Sequence, residues 1–207
     1  MSNLNFPSNL IAYILSYLPI EQIEILELPS KLKHDVYKLK TQIITTPSIT
    51  QYFIDGKLHR LDGPAEEHAD VYYCDNFTRK GNKLWYVNGL LHNLSGPAII
   101  APRCVAWYVN GLLHRTDGPA YTNNIDEYHW YVNGLRHRLD GPAVVSEYEE
   151  IWYVNGLLHN LSGPAEIKSA YTAWYVNGLL HNLSGPAIIY NNGECEYWIN
   201  DVKVEPF

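Results

Sequence analysis

The sequence predicts a mainly β protein: an elongated antiparallel sheet of tandem β-hairpin repeats, preceded by a small helical module at the N-terminus. Three observations predict it. A fourteen-residue pattern, WYVNGLLHNLSGPA or a close variant, recurs along the C-terminal three quarters of the chain. Each copy alternates strand-forming residues with the dipeptides of tight turns. The residues before the array carry apolar spacing of helical period. The expected division is a helical module over residues 1–48 and a repeat array over residues 49–207.

The best copies start at Trp85, Trp152 and Trp174, and close variants start at Trp107 and Trp130. A divergent first copy, YFIDGKLHRLDGPA, starts at Tyr52, and a truncated last one starts at Tyr197. Start-to-start spacings are 33, 22, 23, 22, 22 and 23 residues; the long gap holds the polar stretch from Glu66 to Asn82. Within a copy, Trp-Tyr-Val favours strand and places Trp and Val on one face with Tyr on the other. Asn-Gly follows, the dipeptide that best tolerates the positive φ of a tight turn. The segment Gly-Leu-Leu-His-x-x-x-Gly then forms a second connection, whose Leu-Leu pair is expected to fold back over the sheet. After Pro-Ala the chain is apolar again, as at Ile99-Ile100, Val144-Val145 and Ile188-Ile189. Asn191-Asn192-Gly193 reads as a hairpin turn into Glu196-Tyr197-Trp198-Ile199. A β-propeller is the weaker alternative, since a blade normally needs four strands and ~40 residues.

Two positions after each His change together: Arg60/Asp62, Arg115/Asp117 and Arg138/Asp140 against Asn93/Ser95, Asn160/Ser162 and Asn182/Ser184. Direct contact between the two side chains explains the linkage, as does recent duplication of whole copies. The Asn-Leu-Ser triplets match a glycosylation sequon, but Gly-Pro follows each of them, and they read as turn chemistry.

The pattern WYxNGxxHRxDGPA resembles the MORN-type repeats, in a His-Arg-x-Asp-Gly-Pro-Ala version common in large DNA viruses of amoebae. The resemblance covers roughly Tyr52 to Trp198. It implies an elongated scaffold that binds proteins and sometimes lipid head groups. The aromatic line Phe53, Tyr86, Tyr108, Tyr131, Tyr153, Tyr175 and Trp198 is the expected partner-binding surface, since Tyr and Trp anchor interfaces.

Before the array, Leu10, Ile11, Ile14, Leu15 and Leu18 follow helical spacing with Ser8 as N-cap, and Pro19 closes the helix. Ile23, Ile25, Leu26 and Leu28 mark a second amphipathic piece, and Leu32, Val36 and Leu39 a third short helix after Pro29. The segment Phe6-Pro7-x-x-Leu10-Ile11-x-x-Ile14-Leu15-Ser16-Tyr17-Leu18-Pro19 resembles an F-box. That resemblance implies docking on the Skp1 adaptor of a cullin-type ubiquitin ligase through Pro7, Leu10, Ile11, Ile14, Leu15, Leu18 and Pro19.

Composition bounds the rest. With 15 Lys+Arg against 22 Asp+Glu the net charge is −7, and no Lys/Arg cluster supports counterion release, so nucleic acid is not an expected partner. Three scattered cysteines without CxxC spacing fit a reducing compartment. Met1 to Asn9 lack a basic stretch before a long apolar run, so neither a secretory signal nor a membrane span is expected. The expected location is cytoplasmic, the host cytoplasm if the source is viral. His59, His92, His114, His137, His159 and His181 occupy one repeat position. Stacked repeats hold equivalent residues ~9.5 Å apart, about two strand spacings, whereas a metal needs three or four converging ligands. These histidines read as structural, hydrogen-bonding backbone. Catalytic sites gather unlike residues in one pocket, and here like residues are spread along a line, so no catalytic residue, metal or cofactor is expected. The expected function is a non-enzymatic adaptor, with helices on Skp1 and the array capturing a target protein. The alternative is a structural scaffold whose helices only cap or dimerise the array.

Overall fold

The computed structural model describes residues 7–19, 22–23, 26–72, 78–79 and 81–206. Phe6, Ile25, Cys74 and the side chain of Ile14 lie outside the described residues. The chain divides into two compact units, Met1–His92 and Asn93–Phe207. Both are mainly β, and every described strand pair is antiparallel.

In the first unit, helix α1 (Ser8–Leu15) starts directly after Pro7. The Pro7 carbonyl accepts the N–H groups of Leu10 and Ile11 at 3.0 and 3.1 Å. Ser8 is thus the first helical residue and not the cap. Of the expected second helix the described residues include Gln22 and Ile23, which are helical and whose N–H groups donate to the Pro19 carbonyl, while Glu21, Glu24 and Ile25 lie outside the described residues. Helix α2 (Ser30–Lys40) opens after Pro29 and buries Val36. Ala12, Ile23 and Val36 form the core of this module, with Leu15, Leu18, Leu28 and Leu32 packed against it. Next, the β-branched residues Ile43, Ile44 and Thr45 place a strand (Gln42–Thr45) against Ile49–Ile54 in register Gln42↔Phe53. The sheet continues through Glu66–His68 to Lys83–Leu84.

In the second unit the sheet order is the chain order. Strands Ile99–Ala101, Cys104–Ala106, Tyr121–Asn123, Tyr128–His129, Val144–Val145, Glu149–Ile151, Glu166–Lys168, Tyr171–Ala173, Ile188–Tyr190, Cys195–Ile199 and Val202–Val204 are successive neighbours. The segments between copies, and not Trp-Tyr-Val, therefore build this sheet. The expected turn at Asn191 to Gly193 connects its last long hairpin, with the Gly193 N–H on the Tyr190 carbonyl at 3.0 Å.

Tyr-Val instead pairs locally with Leu-Leu, as in Tyr108↔Leu113 and Val109↔Leu112. The Asn-Gly between them has two successive positive φ values, 50° at Asn110 and 79° at Gly111, the two-residue turn that matches strand twist. This corrects the expectation that Leu-Leu folds back over the sheet. It is a strand of its own side hairpin, and its first Leu stays about half exposed, 50% at Leu112 and 51% at Leu135. Each copy thus contributes one side hairpin, a turn ending in Gly-Pro-Ala, and strands of the main sheet.

The Ala of Gly-Pro-Ala is the tightest point of every copy. Ala65, Ala98, Ala120, Ala143, Ala165 and Ala187 are all 0% exposed. The N–H groups of Ala98, Ala120, Ala143, Ala165 and Ala187 enter the ladder, as Ala120 does on the His129 carbonyl at 2.9 Å, and the Ala65 carbonyl accepts the Tyr52 N–H at 2.8 Å. The site admits a methyl group and nothing larger without moving backbone.

Candidate functional site

Between the full copies inside each unit, side hairpins interlock by the same three hydrogen bonds, and the truncated last copy keeps two of them, from the Asn182 N–H to the Trp198 carbonyl and from the Asp201 N–H to the Leu180 carbonyl, both at 3.1 Å. Between the copies at Trp107 and Trp130, the Gly134 N–H donates to the Leu113 carbonyl at 2.8 Å and the Arg115 N–H to the Tyr131 carbonyl at 3.0 Å. The Asn133 N–H donates to Nδ1 of His114 at 3.1 Å. Asn155 to His137, Asn177 to His159 and, in the first unit, Asn88 to His59 repeat that third bond at 3.1 Å. His181 Nδ1 lies 2.8 Å from the Asn200 side chain. A backbone N–H can only donate, so at His59, His114, His137 and His159 Nδ1 accepts from it, which in a neutral ring leaves the proton on Nε2, whereas the Asn200 amide oxygen can only accept and takes its hydrogen bond from His181 Nδ1. Each of these histidines thus holds the turn of the following copy. His92 is half-buried. Among the described residues no group of three His, Cys, Asp or Glu side chains is placed to hold a metal ion.

The covarying side chains meet in every Arg/Asp copy, and in the Asn/Ser version they meet at Asn93 and Ser95. Arg60, Arg115 and Arg138 donate from Nε to Asp62, Asp117 and Asp140 at 2.8, 2.8 and 2.9 Å. Nη1 of the same arginines reaches the carbonyl of Pro64, Pro119 or Pro142 at 3.1–3.3 Å. In the other version Asn93, Asn160 and Asn182 accept the N–H of Ser95, Ser162 and Ser184, and their Nδ2 donates to Pro97, Pro164 and Pro186 at 2.8–2.9 Å. Both side-chain sets close the same turn onto the same proline carbonyl. The arginines add a stack: Cζ lies 4.0 Å from the Trp107 ring centroid and 4.1 Å from that of Trp130. The hydrogen bond from Arg holds each of the three Asp carboxyls below the usual carboxylate range. An open cleft of about 650 Å³ separates the turns at Asp117 and Asp140, but its two guanidinium groups are already committed.

Strand register fixes which side chains share a face of the second unit's sheet. Ala106, Tyr121, His129, Val144, Ile151, Glu166 and Ala173 stand directly opposite one another across successive strands. The tyrosines of the side hairpins sit beside this row. The Tyr131 ring stacks at 6.5 Å from His129, and the Glu166 carboxylate acts on Tyr175. Tyr108, Tyr131, Tyr153 and Tyr175 are half-buried, not the fully exposed ladder the alternation pattern predicts. Burial is the main cause that pushes Tyr175 up to about 12, with the Glu166 charge adding to it. Tyr108 is raised by burial and then by Cys104 and the neighbouring tyrosines. Glu166, 7% exposed, is held by Lys168 at 2.9 Å and by the Tyr171 hydroxyl at 3.1 Å.

One member of this face breaks the repeat. Where the other full copies have Leu58, Leu91, Leu113, Leu158 and Leu180, the copy at Trp130 has Arg136. Its Nε donates to the Tyr131 hydroxyl at 3.1 Å and its Nη1 to the Tyr153 hydroxyl at 3.4 Å. Burial, followed by the Arg136 charge, lowers the His129 pKa. Of the remaining line, Phe53 and Tyr86 are half-buried in the first unit, opposite Leu58 and Leu91. Trp198 is half-buried and donates from Nε1 to Glu196 at 2.8 Å.

In the helical module, Pro7 and Pro19 are exposed, Leu10 is 42% exposed, and Ile11 is half-buried. Leu15 and Leu18 face the internal core instead. Tyr13 and Tyr17, 52% and 72% exposed, extend the line of Pro7 and Leu10 and meet edge to face at 5.3 Å. The three- and four-residue spacing could have added them to the expected surface. No helix among the described residues is long and apolar enough to cross a membrane. Comparison of the chain with protein-family models, with curated proteins and with solved structures returns no match in any of the three.

Proposed function

We propose that the protein is a non-enzymatic adaptor, in which the N-terminal helices dock on a Skp1-type subunit of a cullin ubiquitin ligase and the repeat array captures a target protein. The observation that carries the reading is the tyrosine face: Tyr108, Tyr131, Tyr153 and Tyr175, repeated at one position per copy, with Arg136 among them. Tyr and Arg dominate interface hot spots because they combine large contact area with a polar tip. The resemblances to MORN-type repeats of large DNA viruses and to the F-box belong to this proposal. On the helical side, Pro7, Leu10, Tyr13 and Tyr17 supply an exposed stripe on and beside α1. Cytoplasmic action, in a host cell if the source is viral, follows from the same reading.

Purified Skp1 tests it by co-elution with the full chain. Leu10→Asp abolishes the complex and leaves the fold intact, because Leu10 lies outside the helical core. Leu15→Asp is unsuitable, since Leu15 packs against that core. Absence of a complex, or one indifferent to Leu10→Asp, removes the adaptor role. The scaffold reading, with helices as a cap, is favoured by one contact set. Lys40 Nζ bridges the Ser16 carbonyl and Asp55 at 2.9 and 2.8 Å, and the Tyr37 ring stacks on His59 at 5.5 Å. These contacts tie α2 to the first copy as a terminal cap would.

A further inference from the structure

Arg136 is the point where the second unit departs from its own repeat in the costliest way. A half-buried guanidinium replaces a leucine that the other full copies carry. The side hairpin does not need it, since Leu113↔Tyr108 and Leu158↔Tyr153 pair in the same register as Arg136↔Tyr131. Among the described residues no Asp or Glu pairs with it; its hydrogen bonds go to the Tyr131 and Tyr153 hydroxyls alone. Guanidinium carries five N–H donors, so one on Nη1 and both on Nη2 are left over. The two hydroxyls accept from Arg136, which leaves their own O–H protons to donate, and among the described residues no acceptor takes them. Donors from three side chains therefore converge on one spot of a protein whose net charge is −7.

We infer that Arg136, Tyr131 and Tyr153 form a carboxylate-binding subsite, and that the partner captured on this face presents an acidic side chain, Asp or Glu, into it. This rests on the binding role proposed above and names its partner chemistry. A carboxylate accepts two parallel N–H bonds from one edge of a guanidinium and has lone pairs to spare for both hydroxyls. Glu127 and Glu149 act on His129, whose ring stacks on Tyr131, so negative charge already lies around the spot and repels a doubly charged ligand more than a singly charged one. A singly charged carboxylate suits one guanidinium in that setting, and a doubly charged phosphate does not. The rings of Tyr131 and Tyr153, with Arg136 Cζ at 6.0 and 5.3 Å from their centroids, supply apolar surface for the residue carrying the acid.

The test uses the full chain, immobilised and exposed to a random-peptide display library. The selected peptides should be enriched in Asp or Glu at one position. Arg136→Leu restores the side chain of the other full copies and so keeps the fold, and it should weaken those peptides about tenfold or more, the scale of a central interface residue. Arg136→Gln gives a second, polar variant with the same expected loss. Acetate should displace the peptides at lower concentration than inorganic phosphate. Selected peptides without an acidic position, equal binding by both variants, or displacement by phosphate alone overturns the subsite. If such peptides still depend on Tyr131 and Tyr153, the binding role of the face survives that failure. If no peptide is enriched, both fall together.

Discussion

Replacing Gly141 with Ala tests the turn chemistry at one atom. A Cβ at Gly141 would stand 2.9 Å from Arg138 Cζ, whereas at Gly163 it would meet Asn160 Nδ2 at 3.7 Å, an ordinary contact. Neither glycine has positive φ, so backbone strain does not separate them. In Gly141→Ala the guanidinium must leave its place, losing its bond to the Pro142 carbonyl and its stack on Trp130. Those contributions are about 0.5–1.5 and about 0.5–1 kcal/mol respectively. The exposed Asp140 carboxylate is left out. The expected destabilisation is therefore about 1–2.5 kcal/mol. Gly163→Ala should be neutral, or stabilising by up to ~1 kcal/mol through the unfolded chain. The decisive arm converts the turn to the other version, Arg138→Asn with Asp140→Ser, and repeats Gly141→Ala there. The cost should vanish, a coupling of about 1–2 kcal/mol. Urea unfolding followed by tryptophan fluorescence measures all of these. An equal cost of Gly141→Ala in both backgrounds would refute the equivalence of the two turn chemistries.

The histidine clamps give a graded series. His59, 1% exposed, should cost about 2–4 kcal/mol when changed to Ala, from lost packing and an unsatisfied N–H at Asn88. His159→Ala should cost about 1 kcal/mol, since water reaches the exposed Asn177 turn; urea unfolding ranks the two, and equal costs contradict the clamp. His129, with its pKa lowered by burial and Arg136, binds its proton less well folded than unfolded. Its contribution is complete above the unfolded value near ~6.5 and is lost as pH falls through the folded one. Melting temperature should thus decline below that point, and less steeply in His129→Gln. Tyr175, raised to about 12, should stay protonated at pH 11 in an ultraviolet titration while exposed tyrosines ionise. Tyr175→Phe should delete the latest-titrating step, and loss of an earlier one instead would contradict the burial assigned to this ring.

Much of the fold is legible in the residues because its determinants are local. Asn-Gly can be read as a turn since positive φ is a property of those two residues, and Asn133 and Gly134 adopt it at 50° and 79°. The covariation of Arg138 with Asp140 reports a contact two residues apart, which needs no tertiary knowledge. The two-row arrangement is another matter. Tyr-Val and Leu-Leu are equally apolar whether they pair with each other or lie over a sheet, and only the inter-copy bonds to Tyr131 and Gly134 decide it. For the same reason alternation gives the face of Tyr131 but not its burial. Two further signals are present in the residues: the unvarying Ala after each Gly-Pro, which marks the tightest packing, and Arg136, the one break in the column of leucines among the full copies. In the helical module the spacing of Leu15 is equally compatible with a docking face and an internal core. The packing of Val36 from α2 assigns it to the core.

Hydrogen–deuterium exchange of the full chain with and without purified Skp1 tests the adaptor account most directly. The account predicts slowed exchange in residues 7–19, where Leu10 and Tyr13 are exposed, and unchanged exchange in the side hairpins carrying Tyr131, Tyr153 and Tyr175, which stay open for the target. No protection in the helices, or protection confined to the hairpins, would contradict it.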